Sequence, residues 1–368
     1  MDTSDPEIRF NDQGICHHCE EYDQNMKKIS HLSQASRNEL KRLLDRIKVD
    51  GRGKPYDCII GVSGGVDSTY VAYLTKEFGL RPLAVHLDNG WNSELAVKNI
   101  ETVLKVLDIE LYTHVIDWEE FKDLQLSFLK ASTPDSEIPS DHAIVSLMYS
   151  LAGKMGVRWI LSGCNNRTES HLPRAWSQGH MDWRYIRSVH RMFGKKTLKT
   201  FPHTTFWRFY WNRARYRWVD ILNYVDYKKA DALKVLQNEL GWKYYGGKHY
   251  ESIYTRFYQG YLLPKKFGFD KRRTHFSSLI CAGEIARADA LAELQNEPYP
   301  IELQEEDLGY VIKKFELTQS KWEEIMNSPT KRYDDYPNQA SIRNAAPLRL
   351  LGRLIKPLKR VFLGGTES

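Results

Sequence analysis

The sequence predicts an α/β protein built on a doubly wound parallel sheet, and three observations carry that expectation. Between residues 57 and 163, short apolar runs alternate with stretches of helical spacing joined by short connections. The runs are nearly continuous in apolar residues, as strands buried on both faces are. Three of them end in glycine- or asparagine-bearing turns, and in such sheets ligands gather beyond the carboxyl ends of the strands.

The elements follow in order. Residues 57–62 read as the first strand, ending in a glycine-rich turn that opens a helix over 66–78. A second strand at 82–87 leads to a helix at 94–107, and a third at 111–116 leads to helices at 119–130 and 141–155. Residues 157–161 close the series as a fourth strand. Apolar strands alternating with amphipathic helices require a sheet covered on both faces. Ahead of this core lies a polar lead with a helix-like stretch at 32–47 and the cluster Cys16-His17-His18-Cys19. Behind it, 172–275 is aromatic and basic with weak periodicity, and Phe206-Trp207-Arg208-Phe209-Tyr210-Trp211 is its extreme. Helical spacing returns at 286–295, 302–314 and 318–326. The expected divisions are 1–50, an N-terminal cysteine-containing segment; 51–170, the core; 171–275, a substrate or partner region; 276–338, a helical region; and 339–368, a basic tail.

The 368 residues allow about two to three domains. A chain 42% hydrophobic and 27% charged builds a sizeable core, which excludes disordered and collagenous classes. No apolar run approaches the ~18 residues of a membrane span, and Met1-Asp2-Thr3-Ser4-Asp5 lacks the basic and apolar parts of a signal peptide. Five cysteines, an odd number, make no disulfide framework, so a reducing cytoplasm is expected. The net charge of +6 is unevenly placed. Residues 339–368 carry +5, and 167–218 carry twelve Lys/Arg against Glu169 and Asp182, so the rest is acidic. Such concentrated basic regions suggest a polyanionic ligand. In the tail, Leu351, Leu354, Ile355, Leu358, Val361 and Phe362 interleave with basic residues around Pro357. That pattern suits either peripheral contact with the inner membrane or docking on the body or a partner.

The turn Val62-Ser63-Gly64-Gly65-Val66-Asp67-Ser68 carries the chemistry. Paired glycines let the backbone fold tightly and point N–H groups into one concavity; the helix start adds positive potential, and Ser63 and Ser68 add hydroxyls. This is a phosphate cradle but not a Walker loop, because no Gly-Lys-Ser/Thr follows. Asp67 inside it would repel phosphate unless a cation intervenes, which implies magnesium.

This string resembles the PP-loop of the ATP pyrophosphatases, whose fold is the adenine nucleotide alpha hydrolase type. The resemblance implies ATP cleavage to AMP and pyrophosphate through adenylation of an acceptor oxygen. Two further strand-end turns fit it. His86-Leu87-Asp88 stands where these enzymes receive the nucleoside, and Gly163-Cys164-Asn165-Asn166-Arg167-Thr168-Glu169 is similar to the Gly-x-x-Asn-x-x-Glu segment of NAD synthetases. That similarity implies a magnesium role for Glu169 and nucleotide contacts from Gly163 and Asn165. A helix-start carboxylate stabilised by the macrodipole is the plainer reading of Glu169.

A longer resemblance narrows the acceptor. Asp2-Thr3-Ser4-Asp5-Pro6 with Gly14-Ile15-Cys16-His17-His18-Cys19, then Tyr245-Gly246-Gly247-Lys248-His249-Tyr250-Glu251-Ser252 and Lys266-Phe267-Gly268-Phe269-Asp270-Lys271-Arg272-Arg273, resemble the N-acetyl sugar amidotransferases of surface-polysaccharide synthesis, the WbpG/PseA type. The resemblance implies conversion of a nucleotide-sugar acetamido group into an acetamidino group, in lipopolysaccharide O-antigen or flagellin-glycan synthesis. Ammonia would come from a partner glutaminase, joined by a cyclase-like barrel, the two resembling the halves of imidazole glycerol phosphate synthase. None of Cys58, Cys164 or Cys281 sits in a Gly-x-Cys-x-Gly elbow that would make a glutaminase nucleophile.

Lys248, Arg256, Lys271, Arg272 and Arg273 have the chemistry to hold substrate phosphates, and His249 with Glu251 to manage the proton that ammonia loses. An extended strand with a solvated polar face and a surface charge cluster are the corresponding structural readings. Cys16 and Cys19 can clamp one edge of zinc, which needs two more ligands. The resemblance implies a further Cys-x-x-Cys just before the Asp-Thr-Ser-Asp-Pro string, where Met1 stands here; either first residues are lacking, or the site is incomplete, or His17, His18 or Cys281 substitutes. Two other functions compete: a PP-loop enzyme that thiolates or lysinylates tRNA, reading nucleic acid through the aromatic–basic stretch, and a non-catalytic ATP-binding scaffold. A pocket cover or partner surface is the favoured reading of that stretch, with no nucleic acid.

Overall fold

The computed structural model describes residues 1–28, 34–247 and 249–343. Lys248 and nearly all of the basic tail lie outside the described residues. Two helices, α1 (His17–Lys28) and α2 (Gln34–Asp50), precede the core. The core then runs β1 (Cys58–Gly61), α3 (Val66–Glu77), β2 (Pro82–Asp88), α4 (Glu94–Val106), β3 (Glu110–Val115), α5 (Trp118–Ala131), α6 (Ile138–Lys154) and β4 (Trp159–Ser162). This is the expected order, with small shifts at element ends.

Beyond it come α7 (Asn166–Glu169), α8 (Trp183–Phe193), α9 (Phe206–Arg215), β5 (Arg217–Asp220) and α10 (Lys229–Leu240). The fifth strand is an addition to the four expected. Its sequence, Arg-Trp-Val-Asp, lacks an apolar run because it pairs on one side only, with β4, at the sheet edge. The weakly periodic 172–275 stretch is therefore ordered, and its aromatic extreme is helix α9. The chain continues with α11 (Ile253–Phe257), a π-helical stretch Tyr258–Phe267, α12 (Arg272–Cys281), α13 (Arg287–Glu293), α14 (Ile301–Lys314), α15 (Gln319–Asn327) and α16 (Gln339–Arg343).

The five strands lie in the order β3-β2-β1-β4-β5, all parallel. Their side chains divide by the period of two that a strand imposes. Cys58, Ile60, Ala84 and Leu161 enter a layer under α2, α3, α4 and α10, whereas Ile59, Leu83, Val85 and Ile160 enter a layer under α6. Burial on both faces explains why the strands read as continuous apolar runs. A third core joins α5 and α8 to the C-terminal helices through Phe121, Phe128, Ile186, Phe257, Val311 and Trp322.

Strand order reverses between β1 and β4, and that switch point opens a crevice at the carboxyl edge. Among the described residues no helix is long and apolar enough to cross a membrane.

One buried contact ties a helical layer to the crevice: Trp242 Nε1, just past α10, donates to the Gly64 carbonyl at 3.0 Å. Trp242→Phe keeps the ring but leaves that carbonyl without its donor. The expected loss is about 1–3 kcal/mol in urea unfolding, and an unchanged midpoint would show that the contact does not hold the turn.

Candidate active site

Around the turn at the end of β1 the backbone approaches closely at two glycines. Gly64 has φ +81°, and a Cβ there would stand 2.7 Å from the Ala96 carbonyl oxygen at the start of α4. A Cβ on Gly163, after β4, would stand 3.0 Å from the Asp67 backbone carbon. The first turn of α3 is thus set between α4 and the end of β4. Within the turn, Ser63 N donates to Ser68 Oγ at 3.2 Å, the two serine hydroxyl oxygens are 3.1 Å apart, and Gly65 N donates to Ser63 Oγ at 3.3 Å. Hydroxyls and amides converge ahead of a helix N-terminus, the arrangement that suits an anion.

After β2, His86 Nδ1 donates to the Val62 carbonyl at 2.9 Å, so Nε2 is left to accept from Asn92 Nδ2 at 3.1 Å. Asp88 shapes the turn, its Oδ1 accepting from Gly90 N at 2.9 Å and from Asn92 at 3.1 Å. These turns border a cleft of about 420 Å³ whose lining includes Val62, Ser63, Ser68, His86, Leu87 and Gly163.

The opposite wall comes from far along the chain: His249, Glu251, Ser252, Thr255, Gln259 and Lys271. Backbone bonds hold it in place. Ser93 N donates to the Glu251 carbonyl and Ile253 N to the Trp91 carbonyl, both at 2.9 Å. Glu251 stands over the phosphate turn, where its Oε1 would lie 3.3 Å from a Cβ on Gly65. Its other oxygen, Oε2, is buried without a hydrogen-bond partner. His249 Nδ1 is 3.5 Å from Glu251 Oε1, and His249 sits at φ +65°, a left-handed conformation rare outside glycine. Burial alone would raise the Glu251 carboxyl, but the histidine hydrogen bond and charge outweigh it and hold the group below its ordinary value.

An acidic cluster that sequence reasoning missed also borders the cleft. Glu137 accepts from Thr255 Oγ1 at 2.5 Å and lies 3.5 Å from Gln259 Nε2. Asp141 lines the cleft beside it, and His180 Nε2 lies 3.2 Å from Asp135 and 3.4 Å from Asp141. Burial, with help from Asp141 and Asp135, pushes the Glu137 carboxyl up to about 7. Burial works against protonated His180, but Asp135 and Asp141 overcome it and raise the imidazole to about 9. The available signal was the string Asp135-Ser136-Glu137-Ile138-Pro139-Ser140-Asp141, three acids crowded at a helix start.

Other expected site residues are occupied elsewhere. Arg256 makes a two-bond fork with Asp307, at 2.8 and 2.7 Å, and lies 4.7 Å from the centre of the Tyr250 ring. Arg272 binds the Asp270 carboxylate and the carbonyls of Glu293 and Asn296, and Arg273 pairs with Asp2. These three arginines hold the C-terminal helices and the N-terminal segment together and do not line the cleft. Lys271 alone of that run does line it. Asn165 caps α7, accepting from Thr168 N at 2.9 Å, and its side chain is buried there. The aromatic stretch divides. Trp176 is buried and stacks on Phe269 at 4.9 Å, Trp218 reaches the cleft, and Trp207, Tyr210 and Trp211 on α9 face solvent.

For magnesium, Asp67 begins α3 and accepts a hydrogen bond from the Tyr227 hydroxyl, while Glu169 closes α7. Burial first, then Asp67, with Glu169 adding its charge, drives that phenol far above its usual value. Both carboxylates offer the hard oxygen donors that magnesium takes. Cys16 and Cys19 lie at and beside the start of α1, with sulfurs 3.4 Å apart.

Residues 38–170 match the family model of NAD synthase, and residues 251–349 match that of the C-terminal domain of WbpG-like LPS biosynthesis proteins. The chain thus carries an NAD synthase-like domain of the PP-loop ATP pyrophosphatase superfamily and a WbpG-like C-terminal domain. Over 89 residues, 23% of the chain, it is 37% identical to a glutamine-hydrolyzing GMP synthase of Pyrobaculum aerophilum, covering 17% of that protein. Over 71 residues, 18% of the chain, it is 37% identical to a tRNA(Ile)-lysidine synthase of Chlamydia pneumoniae, covering 22% of it. The chain therefore spans about a fifth of the length of these curated relatives. NMN synthetase from Francisella tularensis aligns with 78% of the chain and 98% of its own at 15% identity and TM-score 0.37. NH3-dependent NAD synthetase from Campylobacter jejuni aligns with 56% and 93% at 14% identity and TM-score 0.29.

Two outcomes follow from this geometry. Arg256→Ala leaves the buried Asp307 without its partner and is expected to destabilise the protein by about 3–5 kcal/mol in denaturant titration. An unchanged stability would return Arg256 to a substrate role. Because His180 is raised in the folded state, its stabilisation is complete below the unfolded value near 6.5 and is lost as pH rises through about 9. The wild type should lose about 2 kcal/mol over that window, allowing for partial solvent exposure, and His180→Gln should flatten that loss. Equal pH slopes for the two proteins would remove His180 from the charge network.

Proposed function

We propose, from an NAD synthase-like domain that faces a WbpG-like C-terminal domain across one cleft, that this chain is an ATP-dependent amidotransferase acting on an acetamido nucleotide-sugar. The observation that carries the reading is the lining of that cleft. Phosphate-cradle residues of the first domain and Glu251-to-Lys271 residues of the second, with His249 just ahead of them, meet around a single volume large enough for reacting groups.

In this reading the amides and hydroxyls of Ser63, Gly65 and Ser68 grip the β- and γ-phosphates. His86 and Leu87 border the nucleoside, and Lys271 offers positive charge to the phosphate at which the sugar's amide oxygen attacks. Pyrophosphate leaves and an O-adenylated imidate remains. An amide is a poor electrophile with no competent leaving group, and adenylation supplies AMP as one. Ammonia adds to the imidate carbon, loses a proton to Glu251–His249 or to Glu137, and AMP departs to leave the acetamidine. A carboxyl held near neutrality is suited to that proton transfer. Magnesium, held by Asp67 and Glu169, would offset charge on the departing pyrophosphate. Ammonia would reach the site from a partner glutaminase, accompanied by a cyclase-like barrel. The biosynthesis of lipopolysaccharide, the process named for the family that matches the C-terminal domain, is the setting this reading adopts.

A tRNA-modifying activity is the second reading, favoured by the exposed Trp207, Tyr210 and Trp211 beside Arg208 and Arg213 on α9. The two separate in one assay of AMP and pyrophosphate release from ATP with magnesium and ammonium chloride. Release with an acetamido nucleotide-sugar, and a product about 1 Da lighter (NH for O), supports the amidotransferase. Release with bulk tRNA alone overturns it, and release with neither acceptor favours an ATP-binding scaffold. Asp67→Asn keeps an acceptor for the Tyr227 hydroxyl but removes the charge. It is expected to lower pyrophosphate release about 100-fold or more with an unchanged circular dichroism spectrum. Normal release by the folded variant would exclude Asp67 from the machinery.

A further inference from the structure

Away from the cleft, three segments remote in sequence bring sulfur and imidazole donors together. Cys19 on α1, His171 just after α7 and Cys281 at the end of α12 place their donor atoms within 4.8 Å of one another. Cys281 Sγ lies 3.8 Å from Cys19 Sγ and 3.9 Å from His171 Nε2. Cys16 adds a third thiol 3.4 Å from Cys19. Around a tetrahedral zinc with bonds of about 2.3 Å to sulfur and about 2.0 Å to nitrogen, neighbouring donors stand roughly 3.5–3.8 Å apart. The Cys16–Cys19, Cys19–Cys281 and Cys281–His171 spacings of 3.4, 3.8 and 3.9 Å are close to that.

A second observation concerns the proton on His171. The ring is buried at 1% exposure, and its Nδ1 lies 2.8 Å from Ser278 Oγ. The Ser278 hydroxyl has the Thr274 carbonyl as an acceptor at 3.2 Å, which lets its oxygen accept from His171 Nδ1. In that tautomer the Nε2 lone pair faces Cys281 Sγ, 3.9 Å away. Metal-bound histidines are held in this way, with an outer partner on one nitrogen that fixes the tautomer and frees the other. Nothing in the chemistry proposed for the cleft uses these four residues.

We infer that Cys16, Cys19, His171 and Cys281 form a structural zinc site that fastens the N-terminal segment and α7 to α12. Three thiolates and one neutral imidazole close the coordination shell, so the site has no open position for catalysis. The thiols release their protons to solvent as the metal binds. The fastening joins a helix of the NAD synthase-like domain, α7, to one of the WbpG-like domain, α12.

The test uses the full chain, purified without chelator. One zinc per chain is expected by elemental analysis, and cobalt exchanged into the site should give the intense visible bands and sulfur charge-transfer absorption of a tetrahedral thiolate-rich centre. A thiol reagent applied to the native protein should modify Cys164, which is exposed, and a zinc chelator should release Cys16, Cys19 and Cys281 to it, while Cys58 stays protected in the core. His171→Ala and Cys281→Ser should each lower zinc affinity at least 100-fold, and His171→Cys, which keeps four ligands, should retain the metal. Should either variant fail to fold, the chelator-dependent thiol count on the wild type decides. Two results would overturn the site: a wild-type protein that neither contains nor takes up zinc or cobalt, or metal content and cobalt spectrum unchanged in folded Cys281→Ser and His171→Ala.

Discussion

The architecture depends on how closely the first turn of α3 can approach its neighbours. Gly64 and Gly163 lack a Cβ at the two points where one would collide with the Ala96 carbonyl and the Asp67 backbone. That absence lets the helix start fall at the β1–β4 reversal, where a parallel sheet has its crevice. With the turn so placed, its amides, the two serine hydroxyls and the positive end of α3 point one way. A side chain at either glycine would move the helix start by tenths of an ångström, enough to spread donors that act together.

The second constraint is a piece of backbone pairing across more than 150 residues of chain. The 251–253 segment pairs with 91–93 through carbonyls and amides, independent of side-chain identity. It sets Glu251 over the phosphate turn, whose other side is braced by Trp242. The cost of holding His249 at positive φ and of leaving Glu251 Oε2 without a partner falls on this same segment. Strain and an orphaned acceptor gathered at one spot are what a site awaiting a ligand shows, because a ligand's donors remove the second cost.

The parts legible in the sequence share a physical property: each is local. Continuous apolar runs identify strands buried on both faces, and the Ser-Gly-Gly-x-Asp-Ser string carries its own turn geometry, so four strands and the phosphate turn could be read directly. β5 could not, since an edge strand of Arg-Trp-Val-Asp is specified by its neighbour β4 and not by its own pattern. The partners of the arginine run could not be read for a related reason. Arg256, Arg272 and Arg273 have the chemistry of phosphate ligands, but their acidic partners Asp307, Asp270 and Asp2 are found mostly by tertiary structure, and only the Arg256 fork falls on a buried carboxylate. Glu137 and Asp141 went unread because acids at a helix start are ordinary on a surface. Here Thr255, Gln259, His180 and Lys271 arrive from elsewhere to enclose them.

The charge around the cleft has a direction that follows from this enclosure. The α3 N-terminus contributes positive potential, whereas Glu251, Glu137 and Asp141 are acids on the cleft, with Lys271 also lining it and His180 raised to about 9 beside Asp141. The acids repel a polyphosphate and the helix start attracts it, with Asp67 in the turn and Glu251 over it requiring a cation between. A neutral amine that becomes cationic as it bonds to carbon has the opposite preference. Its developing charge is favoured beside carboxylates and disfavoured beside the helix start. Within one volume the acids favour the amine chemistry and the helix start the phosphate chemistry. Glu137, pushed up to about 7 by burial and by Asp141 and Asp135, stands on the amine side, where a group that is half-ionised near neutrality can take up a proton without first being expelled from its own charged neighbourhood.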